Sequence, residues 1–362
     1  MKIIKKVSKP DKEVMYVFGI PVKKIKIRTD KISYCFFGIN LFSIKKEHID
    51  KLVAINKTRN DKLIQTWLEN GFSESLFERL DFMFSISSNI VKENKKLYLI
   101  YIGCLVEKSL DEKAIVCAKR YIANFGYDII ETFFPVSKLL VKYGIRNDLI
   151  DKSNYIWKCV QHNVETNVFE NYLKDKTIAI VGNNGSELGK GKGKEIDKHD
   201  VVIRFNNFPN GYEDDYGKKT NIWVRHRGTD ILNRDLSSID LILWNEDLSH
   251  NIFWDNNQVE NLYEQVKKYP DKICQLENFV YKGIYDESLV LDNPTTGALI
   301  TWYLHKLVTV KQIDVYGFAF LQDDSNTDFT HYYDDKCKLK DDHNISCEMD
   351  FLRQLYFNKK GE

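Results

Sequence analysis

The sequence predicts an α/β protein with a largely parallel sheet, preceded by a helical region and a small basic, β-rich segment. Three observations predict it. In the second half, short apolar runs rich in β-branched residues recur between helical stretches: Thr177–Val181, Val201–Phe205, Leu241–Leu243 and Ile313–Tyr316. From about residue 60 to 174, apolar residues return every three or four positions, the spacing of helix faces. The first 50 residues hold 12 Lys and Arg against 5 Asp and Glu, among many β-branched and aromatic residues.

Composition narrows the function classes. With 362 residues, two or three domains of about 100–200 residues are expected. A chain that is 43% hydrophobic and 29% charged, with 18 Gly and 6 Pro, is neither disordered nor a string of flexible linkers. Its 53 basic and 52 acidic residues nearly cancel, which removes the global electrostatic argument for a nucleic-acid partner. Seven cysteines are too sparse, and odd in number, for a disulfide scaffold. No apolar run reaches the roughly 18 residues needed to span a bilayer. MKIIKKVSKPDKE lacks a signal-peptide core. The expectation is a cytoplasmic protein, in which the Asn-x-Ser/Thr triplets at Asn56, Asn184 and Asn344 are chance matches.

The elements follow in order. Residues 1–55 read as a basic β-rich segment, with strands at Tyr16–Phe18, Lys23–Arg28 and Ile32–Phe37. Its lysines suit either an anionic membrane surface or a soluble edge-strand surface. Residues 56–174 read as helical. Ser75–Val91 carries Leu76, Phe77, Leu80, Met83 and Phe84 on one stripe. Leu97–Glu107, Asp111–Phe125 and Pro135–Tyr143 follow, with Pro135 in a first turn and Gly126 and Gly144 as helix stops. These stripes read as packing core rather than binding faces. Residues 175–362 carry the strands, with a helix at Ala298–Val308 between two of them.

Three stretches carry chemistry. The first is IAIVGNNGSELGKGKGKEIDKHDVVIRFN, Ile178 to Asn206. A buried strand ends in the turn Gly182, Asn183, Asn184, Gly185, where an open α/β sheet binds ligands. Glycine lets backbone N–H groups approach phosphate, and Asn can bond ribose or phosphate oxygens. The alternative is a tight strand-to-helix turn with no ligand. Asn184 breaks the dinucleotide G-x-G-x-x-G pattern, and no G-K-[ST] follows for a P-loop. Lys190, Lys192 and Lys194 alternate with glycines, which suits a solvated, mobile loop better than a phosphate site. The second stretch, Asn293-Pro294-Thr295-Thr296-Gly297, opens a helix and suits either an anion or an ordinary helix cap. In the third, His331-Tyr332-Tyr333-Asp334 is followed by His343 and Glu348, which suit acid/base work with the carboxylate orienting the imidazole, or are exposed loop residues. His331, Cys337, His343 and Cys347 mix zinc-ligand types but contain no tight C-x₂₋₄-C pair, so a zinc site is disfavoured. No Asp-x-Asp triplet is present to hold the divalent metal that many nucleotide-sugar transferases use.

In this order these stretches resemble the motifs of the sialyltransferase family that includes the animal Golgi enzymes. Ile178–Asn206 resembles the large sialylmotif and NPTTGALITWYLHKLVTVKQIDVYGFAF the small one. HYYD resembles the third motif, and His343 to Glu348 the very small H-x₄-E motif. The resemblance covers about residues 176–355. It implies a GT-A-like, Rossmann-type catalytic domain and an inverting, metal-independent transferase. Its CMP-activated sugar is a co-substrate, and no further cofactor is implied. By motif position, Asn183 and Asn206 would bind the CMP ribose and phosphate, and Thr295, Thr296 and Gly297 the nucleotide and donor carboxylate. His343 would be the general base and His331 would stabilise or protonate the departing phosphate, with Gly182, Tyr332 and Glu348 in support.

Three departures from the family pattern bear on this. Ile178 and a position near Val310 stand where the animal enzymes have cysteines, so the family disulfide cannot form, in keeping with a reducing compartment. The helix after Gly297 is about two residues longer than usual. Asn293 stands where some relatives have an aromatic residue at the donor. The donor is accordingly sialic acid or a related CMP-activated keto-sugar such as Kdo. The acceptor is a glycan or glycolipid, and a bacterial lipooligosaccharide or capsule setting fits a cytoplasmic, membrane-peripheral enzyme. The rival readings are a non-catalytic nucleotide or glycan binder, which would need neither histidine, and a helical interaction protein whose first 174 residues do the work.

Overall fold

A computed structural model describes residues 4–9, 12–17, 20–27, 31–36, 39–45, 60–68, 70–85, 94–226, 235–249, 254–287, 294–321, 331–333 and 345–358. The chain divides into two compact units, Met1–Gln65 and Thr66–Glu362.

The first unit is an antiparallel meander of five strands: β1 (Ile4–Lys9), β2 (Lys12–Val17), β3 (Ile20–Ile27), β4 (Lys31–Phe36) and β5 (Ile39–Lys45), each paired with the next. The sequence pattern marks three of them. In β1 the apolar residues are Ile4 and Val7, three apart, so the two-residue alternation that signals a strand is broken. Register places Lys9 opposite Lys12, Lys12 opposite Lys26, Lys26 opposite Ser33 and Lys31 opposite Lys45. Directly opposed residues share a face, as do alternate ones. Lys5, Lys9, Lys12, Lys24, Lys26, Lys31 and Lys45 therefore occupy positions on one face. Glu13, the one acidic residue of these strands, pairs with Ile25 on the other face, which also holds Lys6 and Lys23.

The second unit opens with helices: α1 (Glu74–Ser85), α2 (Lys95–Glu107), α3 (Asp111–Phe125), α4 (Phe134–Lys142), α5 (Asp148–Glu165) and α6 (Val168–Leu173). Pro135 sits in the first turn of α4, and Gly126 and Gly144 follow helices at φ +74°, a left-handed backbone that favours glycine. The sequence pattern does not mark α5, because Ser153, Asn154 and Asn163 are buried in its face and interrupt the apolar stripe. Asn163 is there to donate to the carbonyls of Pro270 (2.7 Å) and Ile273 (2.8 Å).

Six parallel strands follow: β6 (Thr177–Val181), β7 (Val201–Phe205), β8 (Ile222–Arg225), β9 (Leu241–Trp244), β10 (Ile273–Gln275) and β11 (Gln312–Tyr316), with the short helices α7 (Gly193–Ile196) before β7 and α8 (Glu213–Tyr216) before β8. Their order is β10-β9-β8-β7-β6-β11. β8 and β10 are additions to the sequence pattern: each is short and ends in a buried polar residue, Arg225 or Gln275. Both faces of the sheet are covered, which is why these strands read as continuous apolar runs. Ile178, Ile180, Val201, Ile203 and Val224 pack on one side with α6, α10 (Asn278–Glu287), α11 (Thr296–Lys306) and α12 (Ile345–Asn358). Trp223, Ile242 and Ile273 pack on the other with α5 and α9 (Asn256–Lys268). Among the described residues no helix is long and apolar enough to cross a membrane.

Candidate functional site

β6 and β11 are sheet neighbours although far apart in the chain, so the strand order reverses between them. The crevice at the carboxyl ends of such a pair is where α/β sheets bind ligands. Here the two backbones touch. Gly182 N–H donates to the Tyr316 carbonyl (2.8 Å) and Asn184 N–H to that of Gly317 (2.9 Å). A Cβ on Gly182 would lie 2.4 Å from the Gly317 oxygen, and one on Gly317, at φ +69°, 2.4 Å from the Gly182 oxygen. Both positions need glycine because the strands abut, so what Gly182 lets approach is the other strand. The Phe318 ring continues the contact, lying 2.9 Å from the Cβ position of Gly182 and 2.8 Å from that of Gly297.

Two more segments close on this turn. Asn183 Nδ2 donates to the carbonyls of Phe205 and Asn207, both at 3.1 Å, and so holds the chain leaving β7. Its donor end is committed to the protein. Its Oδ1, an acceptor, has no partner among the described residues. Asn206 sits at φ +48° between these carbonyls, its backbone oxygen taking Trp223 Nε1–H (2.8 Å) and its Oδ1 the His226 N–H (3.0 Å). On the other side, Tyr332 N–H donates to the Asn183 carbonyl (2.9 Å), and His331 bridges Asn184 antiparallel. Tyr332 is buried, stacked on Tyr216 with centroids 4.1 Å apart, while the His331 ring stacks on Tyr333 at 5.1 Å.

The paired threonines divide their work. Thr295 caps α11: its Oγ1 accepts from Ala298 N–H (3.2 Å). Glu348, on α12, takes both the Thr295 N–H (2.8 Å) and the Thr295 hydroxyl proton (2.5 Å). The sequence reading gave Glu348 the task of orienting His343; the structure brings its carboxylate to Thr295. Thr296 Oγ1 accepts from Asn245 Nδ2 (2.6 Å), and Asn245 follows β9 directly. The Tyr281 hydroxyl donates to the Asn245 carbonyl, and burial pushes that phenol's pKa well above its ordinary value, so it keeps its proton. His343 and Asn293 lie outside the described residues.

The remaining motif residues are structural. Gly189 and Gly191 donate their N–H groups to Asp215 (2.8 and 2.9 Å), which holds that carboxyl below the usual carboxylate range. The lysine–glycine loop is thus tethered, and those amides do not face a phosphate. Asp197 accepts from Lys218 and Lys219 N–H, Asp200 from Thr177, and His199 reaches Asp314 of β11 at 3.0 Å. Arg204 is buried on the carbonyls of Tyr216, Gly217 and Lys219. The sequence reading missed Asn245, and also His226, which is half exposed with Nε2 3.1 Å from Glu246 Oε1. Nothing in their local sequence marks either. They stand just past the carboxyl ends of β8, which the sequence pattern does not mark, and β9, which it does. Among the described residues no cluster of His, Cys, Asp and Glu is arranged to hold a metal ion.

The signature of a family described as glycosyltransferase family 29 (sialyltransferase) matches residues 139–360. Beta-galactoside alpha-2,6-sialyltransferase 2 of Danio rerio is 28% identical over 218 residues, covering 52% of this chain and 41% of that protein. CMP-N-acetylneuraminate-beta-galactosamide-alpha-2,3-sialyltransferase 1 of Sus scrofa is 27% identical over 198 residues, covering 52% of this chain and 56% of that protein. The chain thus spans less than two thirds of the length of either relative. A crystal structure of a mammalian sialyltransferase superposes at a TM-score of 0.42 and 22% identity, over 57% of this chain and 76% of that one.

Proposed function

The chain belongs to glycosyltransferase family 29, the sialyltransferases, and from that premise we propose that it moves sialic acid from CMP-sialic acid to a glycan hydroxyl, with inversion and without a metal. The observation that carries this reading is the convergence of three distant segments on one turn. Residues 182–184, the start of α11 and His331–Tyr332 meet where β6 and β11 abut. In the proposed reaction the acceptor oxygen attacks the anomeric carbon and the bond to the CMP phosphate breaks. CMP leaves with the bonding electrons, and His343 takes the acceptor's proton. His331, beside the turn, meets the charge that grows on the leaving phosphate. Asn183 has only its Oδ1 to offer, which suits a ribose hydroxyl; a phosphate oxygen needs a donor. The all-parallel sheet supports grouping residues 175–362 with GT-A-like, Rossmann-type catalytic domains, preceded by a helical part, 56–174, and a basic β-rich part, 1–55.

A CMP-Kdo donor is the second reading, since Kdo shares the keto-acid and CMP groups. The two relatives' names carry α-2,6 and α-2,3 linkages at nearly equal identity, so identity does not select a linkage. The lysine face of the first unit supports a cytoplasmic enzyme held at an anionic membrane during lipooligosaccharide or capsule synthesis. The deciding experiment offers CMP-sialic acid, CMP-Kdo and UDP-sugars with a galactoside acceptor. CMP release from CMP-sialic acid alone is expected. Release from CMP-Kdo alone selects the second donor, and UDP release alone, or no turnover, removes both.

A further inference from the structure

We infer that Asn245 is a positioning residue that turns the Thr296 hydroxyl outward, making it a hydrogen-bond donor to an anionic oxygen of the CMP-sugar; this rests on the donor reading above. A hydroxyl has one proton to give and two lone pairs. Thr295 gives its proton to Glu348 and accepts from Ala298, so its proton is already spent inside the protein. Thr296 only accepts. Asn245 Nδ2 fills one lone pair at 2.6 Å, and among the described residues nothing takes the Thr296 proton. With that lone pair filled, the proton is left to turn away from Asn245, at the first residue of α11, where unsatisfied backbone N–H groups favour negative charge.

Asn245 is held for this task. Its N–H donates to the Arg225 carbonyl (3.0 Å), its carbonyl takes the Tyr281 hydroxyl, and its Oδ1 is enclosed without a hydrogen-bond partner. The backbone is fixed by these bonds, and from it the side chain meets Thr296 through Nδ2. An aspartate of nearly the same shape would do the reverse. It would accept the Thr296 proton and leave lone pairs facing the anion. The two threonines, alike in sequence, thus divide into a cap and a ligand contact, and Asn245 makes the difference.

The test is a double-mutant cycle with Asn245→Asp, Thr296→Val and the double variant, titrated calorimetrically with CMP and with CMP-sialic acid. Each single variant is expected to weaken binding about tenfold or more, the size of a hydrogen bond to a charged group. The double variant should be no weaker than Thr296→Val alone, because the aspartate acts only through the hydroxyl. Thr296→Ser should bind as the wild type. Asn245→Ala, which frees the hydroxyl to turn either way, should lose less than Asn245→Asp and guards against a misfolded aspartate variant. A loss seen with CMP assigns the contact to the phosphate; a loss confined to CMP-sialic acid assigns it to the carboxylate. Losses that multiply in the double variant mean simple charge repulsion and overturn the inference. So does wild-type affinity in Asn245→Asp, which would mean that Thr296 donates inward to Asn245. If the wild type binds neither ligand, the donor reading itself fails and the inference falls with it.

Discussion

Asn183 uses one nitrogen to hold two carbonyls and leaves its oxygen without a partner among the described residues, so its structural role and its proposed binding role separate by substitution. Asn183→Ala removes both bonds and should cost about 1–3 kcal/mol, at about 1 kcal/mol per bond, with weaker CMP affinity. Asn183→Asp keeps the acceptor but sets a carboxylate against two carbonyl oxygens. It should lower the melting temperature further than alanine does; a melting temperature equal to the wild type's would show that the staple carries no stability. His343→Ala should lower kcat by about 10²–10⁴ with donor affinity nearly unchanged, as for a group that acts in the transition state. With a neutral imidazole as the proposed base, the wild-type rate should fall as pH drops through roughly 6.5. Near-wild-type turnover of His343→Ala, or a flat profile from pH 5 to 8, would place the base elsewhere. At this scale the sequence shows residue types and spacing but not partners. Gly182 and Thr295 stand out in it, yet only the fold shows that one makes room for Gly317 and the other engages Glu348.

The lysine–glycine loop shows what an element adds. Read in sequence it is a mobile stretch; in the fold Asp215, from the short helix Glu213–Tyr216 before β8, fastens it at two amides. Those bonds depress the Asp215 pKa below its ordinary 3.8. A depressed carboxylate contributes its stabilisation above the unfolded-state value and loses it as pH falls through the folded one. The Gly189 and Gly191 amides should therefore be protected from exchange at pH 6 and lose protection below about pH 3.8. Asp215→Ala should remove that protection at every pH, and unchanged exchange in this variant would return the loop to its mobile reading. Elements with an unbroken apolar run or a regular apolar stripe are legible from sequence: α2, α3 and α4, with β6, β7, β9 and β11. α5, β8 and β10 escape because buried polar residues interrupt or end theirs, and of these Asn163 and Gln275 are buried for partners distant in the chain.

For the whole molecule, the α/β class follows from apolar runs alone, but the order of the strands does not, since pairing partners leave no local trace. The same holds for the first unit, where an excess of lysine is visible in sequence and its gathering on one face emerges only from register. If that face meets a membrane, the protein should bind vesicles rich in anionic lipid and be released by about 0.5 M salt, which shortens the Debye length to a few Å. Binding that ignores salt, or none to anionic vesicles, would leave the lysines as solubilising residues. Turnover should persist in excess EDTA; loss of activity that Mn²⁺ or Mg²⁺ restores would end the metal-independent reading. The β6–β11 pairing also sets a schedule for synthesis. β6 is an inner strand, yet its β11 neighbour follows about 130 residues later, which at about 5–20 residues per second is roughly 7–26 s of translation. Through that interval the growing chain carries β6 with one side unpaired, an open template for wrong partners. The turn where residues 182–184 meet Gly317 and His331–Tyr332 cannot assemble until residue 333 has emerged, about 150 residues after Gly182, so a site built on that turn forms late in synthesis.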